Sequence, residues 1–265
     1  MIDQPHEAKP ALTVVIQSWW TPVVALVMLV VGLVGGYFGR PLLAKTTGID
    51  GEVSAGLTPS AVATVTQVVQ QSSGDPTYDA ISSQQEFMDY VVSHTMNFKG
   101  DPNATVTIIE FSDYQWPYCG QFATDAGRQL DTTYVETGKV RFGYFNFAFL
   151  GEESQWAAEA AECAGDQDAY WEYHDYLFEH QNGENQGAFV KDNLKQFAKD
   201  MDLDTKAFNS CLDSGKYTQL VKDQTNVAQM MGVQSTPTFV INGTGLVGAQ
   251  SFETFQQKID AILNQ

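Results

Sequence analysis

From Pro22 to Gly39 the chain reads PVVALVMLVVGLVGGYFG, 18 positions without a charge, and no other stretch restricts so strongly what the polypeptide around it can become. That length is about the minimum that lets an α-helix cross a hydrocarbon core with its backbone groups bonded internally. Trp19 and Trp20 precede the run and Tyr37 and Phe38 close it, so amphipathic rings stand where the two interfaces should lie. The reading is a single membrane-spanning helix over 21–40, after a short segment 1–20. A cleaved leader peptide is the rival, but the run is long for a leader's apolar region and no A-x-A site precedes Arg40 and Lys45. Gly32 and Gly36, and again Gly35 and Gly39, stand four apart. That spacing suits close approach of another membrane helix, or simply a glycine-tolerant span. With Lys9 on the amino side and Arg40 and Lys45 on the carboxyl side, charge alone keeps the carboxyl-terminal part inside the cell.

Residues 41–83 read as a tether, rich in Thr, Ser, Gly, Ala and Gln. Within it, Thr58 and Pro59 suit a helix start, and Val62, Val65, Val68 and Val69 form a narrow stripe over 59–71. Three fates are open to that stripe: docking on a partner, packing on the chain's own domain, or fraying.

The 265 residues are 43% hydrophobic, enough for a substantial core. With 32 acidic against 14 basic residues the net charge is −18, which repels a phosphate backbone, so nucleic acid is not an expected partner. His6, His94, His174 and His180 are scattered, with no cysteine or carboxylate at ligand spacing. His174 and His180, six apart, do not share a helix face closely enough to chelate. No metal and no cofactor is expected. Three cysteines, Cys119, Cys163 and Cys211, are too few for a zinc quartet.

Regular patterning begins near residue 84, with a helical stretch holding Phe87, Met88, Tyr90 and Val91 and a turn at Asp101-Pro102-Asn103. TVTIIEF, 105–111, is a β-branched run of the kind buried on both faces of a parallel sheet. A helix over 117–137, closed by Gly138, leads to a second strand, VRFGYFNFAF, at 140–149. This is a right-handed βαβ unit. Five helical patterns then follow, near 154–165, 167–181, 187–200, 204–213 and 216–231, so 152–231 reads as a helical insertion. The strand signal returns at 236–241, with an Asn242-Gly243 turn, LVGA at 246–249 and a last helix at 252–263. The fold class is α/β: a small mixed sheet interrupted by a helical lobe and preceded by one membrane helix.

At the end of the first strand, Phe111 to Phe122 read FSDYQWPYCGQF. Backbone N–H groups and the helix dipole at such a turn stabilise an anion, so a cysteine there can become a reactive thiolate. The segment resembles the F-S-D-x-Q-C-P-x-C-G-x-F junction of DsbA-like thiol-disulfide oxidoreductases. GVQSTPTF, 232–239, resembles their cis-proline loop with Thr236 and Pro237, and the likeness continues through ESQWAAEAAECAG and YWEYHDYLFEHQ, covering about 84–265. It implies a thioredoxin-like fold with an all-helical insertion and an extracytoplasmic domain, against the charge count. It also implies that Trp116 stands where the attacking cysteine belongs, before Pro117 and Tyr118, with Cys119 in the resolving position.

Exchange needs an attacking thiolate and a resolving thiol, and an indole supplies neither. Cys119 is either a residual monothiol or a buried structural cysteine. Trp116 is a plug over it or an aromatic anchor for an extended peptide in a groove against Pro237. Cys163 follows Trp156 and Ala160 at helical spacing, and Cys211 follows Phe208, so both face inward as core thiols or as a bridge. The resemblance implies the bridge. Asp113 reads as a solvated turn carboxylate and Glu152-Glu153 as a helix cap. Two functions follow: a non-catalytic binding or accessory subunit of a membrane complex, or an active extracytoplasmic oxidoreductase using Cys119.

Overall fold

The computed structural model describes residues 76–265. The expected membrane helix over 21–40 with Gly32, Gly35, Gly36 and Gly39, and the valine stripe of the tether, lie outside the described residues. Among the described residues no helix is long and apolar enough to cross a membrane.

A single helical turn, α1 (Pro76–Asp79), leads into α2 (Gln84–His94). The latter starts at a capping box: Ser83 accepts from Glu86 N–H, and the Glu86 carboxylate accepts from the Ser83 N–H. The sheet has five strands, β1 (Asn97–Lys99), β2 (Val106–Ser112), β3 (Val140–Asn146), β4 (Thr238–Ile241) and β5 (Thr244–Val247), in the order β1-β3-β2-β4-β5. Only β2 and β3 run parallel, from Val106 opposite Val140 to Ser112 opposite Asn146. Their crossover is α3 (Pro117–Thr124), α4 (Ala126–Leu130) and a π-helical turn, Asp131–Val135. The single helix expected over 117–137 is thus broken at Asp125, whose φ of −121° and ψ of −89° leave helical space. The break lets Gly127 lie against the Phe122 backbone and turns Ala126 and Leu130 inward.

Two further expectations shift. The second strand stops at Asn146 because the Asp113 carboxylate captures the N–H groups of Phe149 and Leu150 and draws that chain off the sheet. The last strand lies two residues earlier than LVGA. Asn242 and Gly243, with φ of 43° and 81°, make a two-residue turn that sets Thr244 directly opposite Ile241. β1 has no sequence signal; three half-buried residues form it only because the free edge of β3 is there to pair with.

β2 is buried on both faces. Val106 and Ile108 pack with Phe122, Leu130 and Phe255, the last from α10 (Phe252–Leu263). Ile109 and Phe111 pack on Met88 and Val91 of α2 and on Ala228. Between β3 and β4 lie α5 (Glu152–Gly165), α6 (Tyr170–Glu179), α7 (Lys191–Asp200), α8 (Thr205–Ser214) and α9 (Thr218–Met230). They enclose a separate core built around Tyr173, Leu177, Leu194, Phe208 and Leu212. Cys163 of α5 is bonded to Cys211 of α8, with the Cα atoms 5.8 Å apart and the residues 48 apart in sequence.

Candidate functional site

The turn from β2 into α3 is shaped by proline. Pro117 opens α3 with its φ preset and no N–H to satisfy, which fixes Trp116 as the N-cap in extended backbone and Cys119 as the third helical residue. Trp116 accepts the N–H groups of Cys119 and Gly120 at 3.0 and 3.2 Å. Its ring is half-buried against the helical lobe, 5.7 Å from that of Tyr118, which is 57% exposed. Opposite stands the loop before β4, where Phe111 pairs with Thr238 and the Thr236–Pro237 bond is cis. That register brings Thr236 against Cys119.

Cys119 is a free thiol with no exposed surface. Burial, reinforced by the carboxyl of Glu110, pushes it up to about 12. The Ser112 and Thr236 hydroxyls lie against the sulfur and pull the other way, yet neither closes a hydrogen bond of ordinary geometry. At pH 7 such a thiol stays protonated. The helix start does not offset this, because the thiol lies inside the fold and desolvation dominates. Glu110 lies beneath it on β2, 1% exposed, raised to about 8 by burial and therefore neutral at pH 7. Glu110 Oε1, Ser112 Oγ, Tyr144 OH and Thr236 Oγ1 are all buried without a hydrogen-bond partner. Glu110 belongs to no motif; a lone carboxylate inside the apolar run TVTIIEF is the one signal that marks it.

Asp113 is not a solvated turn residue. It is 1% exposed and accepts from Ser154 Oγ, Gln115 N–H and the N–H groups of Phe149 and Leu150, a set that compensates the loss of water. Gln115 donates to Ser154 Oγ and accepts from Asn185 N–H, while Gln181 Nε2 donates to the carbonyls of Tyr114 and Trp116 at 2.6 and 3.2 Å. The helical lobe therefore clamps residues 113–116. Glu153, which opens α5, is also buried and accepts the N–H groups of Gly187 and Phe189 rather than capping its own helix. His174 sits in an aromatic box of Tyr114, Tyr144, Trp171 and Phe178. Among the described residues no group of His, Cys, Asp and Glu is arranged to hold a metal ion.

One consequence is directly measurable. In the native protein a thiol reagent should label Cys119 only as fast as the domain opens, and under denaturing, non-reducing conditions it should count one thiol per chain. Rapid native labelling would contradict the burial described, and a count of three would contradict the bridge.

A sheet with this strand order, a cis-proline loop facing a strand-to-helix turn, and helices between β3 and β4 define a thioredoxin-like α/β protein with a helical insertion. The thioredoxin family profile matches residues 93–261, and the chain belongs to that family. Disulfide bond formation protein D of Bacillus subtilis (strain 168) is 28% identical over 177 residues, covering 64% of this chain and 80% of that protein. A protein named Na(+)/H(+) antiporter NhaA 1, from Salinispora arenicola (strain CNS-205), is 35% identical over 161 residues. That match spans 61% of this chain but 24% of the antiporter. The crystal structure of oxidised BdbD from Bacillus subtilis superposes with a TM-score of 0.61 at 26% identity, covering 66% of this chain and 95% of that one. The thiol-disulfide exchange protein alpha-DsbA2 from Wolbachia pipientis shares the fold, with a TM-score of 0.58 at 20% identity and coverage of 68% and 95%.

Proposed function

We propose that this chain is a membrane-tethered, extracytoplasmic DsbA-like domain that has lost dithiol exchange and serves as a binding or accessory module of a membrane complex. The observation that carries this reading is the state of the turn: a tryptophan at 116, and a lone thiol at 119 that is buried and pushed up to about 12. Exchange through these residues lacks the attacking thiolate, and Cys119, in the resolving position, has no mixed disulfide to resolve. The half-buried Trp116, exposed Tyr118 and the Pro237 loop suit an extended peptide carrying apolar side chains. Attachment runs through 21–40, with Gly32, Gly35, Gly36 and Gly39 as a packing face for another membrane helix.

The rival reading, thiol-disulfide exchange in which Cys119 attacks a partner's disulfide to form a mixed disulfide and release one partner thiol, draws on relatives named for disulfide bond formation and thiol-disulfide exchange. One assay separates the two. In mild detergent with dithiothreitol as the reductant, the full chain should leave insulin reduction at the uncatalysed rate, and Trp116→Cys should raise turnover by about 100-fold or more by restoring a dithiol pair. A parent chain as fast as that variant would establish exchange and end the binding-module reading.

A further inference from the structure

Among the described residues β5 is an outer strand of the sheet, and it lacks the devices that usually blunt such an edge. Its residues, Thr244-Gly245-Leu246-Val247, include no lysine and no proline and pair with β4 without a bulge, whereas β1 at the opposite edge carries Lys99, paired with Asp131. From Gln224 to Phe252 the sequence holds no charged side chain, in a chain of net charge −18. The rung beyond β5 fixes which backbone groups stay free. Gly248 N–H donates to the Pro237 carbonyl, so in the alternation of an antiparallel ladder Leu246 and Thr244 also turn their polar groups toward β4, while those of Gly245 and Val247 point outward. The Val247 carbonyl accepts from Gln250 Nε2 at 2.8 Å and keeps a second lone pair.

The side chains repeat this alternation. Gly245 and Val247 lie opposite Val240 and Thr238, on the side of the sheet where an apolar cavity of about 290 Å³ opens between Phe87, Val233, Val240 and Val247. Val247 is 57% exposed, and a Cβ added to Gly245 would meet nothing within 4 Å. The edge thus presents a knob and a bare position two residues apart. We propose that two copies of this chain join β5 to β5, antiparallel about a two-fold axis through Leu246, so that one sheet runs unbroken across the dimer.

A two-fold contact must be complementary to itself, and this register is. Gly245 of one copy faces Val247 of the other and exchanges both backbone bonds with it, so each valine fills the space beside the other copy's glycine at the cavity mouth. Between them the two Leu246 residues meet as a pair without mutual backbone bonds, their Cα atoms about 4.5 Å apart. An extended segment of another protein would satisfy the same backbone groups, but the matched knob and gap favour a second copy. The uncharged surroundings let the copies approach where repulsion between two chains of net charge −18 is weakest. Four residues a side make a small contact, so the dimer is weak and forms with rising concentration.

The test is disulfide cross-linking of the full chain in mild detergent under gentle oxidation. Cys119 is buried and Cys163 is bonded to Cys211, so a thiol introduced on β5 reports alone. In this register the two 246 positions lie within disulfide reach, whereas Thr244 faces Gly248 and the two 244 positions stand about 13 Å apart. Leu246→Cys should therefore give at least tenfold more cross-linked dimer than Thr244→Cys. Adding Val247→Lys, at an exposed position, should cut the Leu246→Cys product at least tenfold while leaving the melting temperature within about 3 °C. In the unsubstituted chain the Gly245 and Val247 amides should exchange about tenfold more slowly when the protein concentration is raised about 100-fold. Equal cross-linking of the two cysteine variants, which collision or pairing through another part of the chain would give, overturns the proposal. So does the absence of a Leu246→Cys product, or a product indifferent to Val247→Lys. Protection of those amides that dilution leaves unchanged also overturns it, because another segment or a different protein then occupies the edge.

Discussion

A Glu110→Gln chain should match wild type in stability, apart from a constant offset, near pH 4.5, then become progressively more stable than it up to about pH 8, with a constant gap above. The reason is linkage. An unfolded Glu110 ionises near 4.5, whereas in the fold burial holds it protonated until about 8. Below 4.5 both states keep the proton and the group contributes nothing. Between 4.5 and about 8 only the unfolded state releases it, so the unfolded state binds fewer protons and wild type loses about 1.4 kcal/mol of stability per pH unit. The full loss is on the order of 5 kcal/mol as an upper bound. For a domain of this size that is a melting-temperature gap of roughly 10 °C or more. Glutamine keeps the shape of the neutral carboxyl and removes the ionisation, so the difference between the two pH profiles isolates this residue from Asp113 and Glu162, which are raised by burial too. Thermal melts of both chains at half-unit steps from pH 4.5 to 9 check it; parallel profiles would show that Glu110 reaches water.

Removing the bridge should cost stability without touching the site. Cys163→Ala/Cys211→Ala frees a loop of 48 residues in the unfolded state, for which the chain-entropy estimate is about 4 kcal/mol. The bond joins α5 to α8, and neither cysteine is among the groups, Glu110, Ser112 and Thr236, that act on Cys119. The doubly substituted chain should therefore melt roughly 10 °C lower yet keep the slow native labelling of Cys119 under conditions where it stays folded. A loss below about 1 kcal/mol would mean that helix packing alone holds α5 and α8 together.

Both predictions concern groups whose meaning lies in their surroundings, and the elements differ in how far their surroundings can be read locally. A strand buried on both faces must be apolar throughout, and a two-residue hairpin needs residues tolerant of positive φ, so TVTIIEF and Asn242-Gly243 identify themselves. Helical periodicity placed the five helices of the lobe to within a few residues for the same reason. β1 left no trace, because a three-residue edge strand exists only through its neighbour. Asp113 was indistinguishable from any turn carboxylate, since three of its four donors come from residues 36 to 41 positions away.

What the sequence determined by itself is the order of elements and the identity of the atoms at the turn, above all that residue 116 carries an indole and no sulfur. Composition and local period suffice for that, because each depends on a residue and its near neighbours. The tertiary structure alone decided that Cys119 is sealed from water, that Glu110 lies beneath it as a neutral acid, and that an apolar groove opens beside the Pro237 loop. Those are properties of distance and dielectric between segments far apart in the chain, and they come into being only when the sheet closes over them.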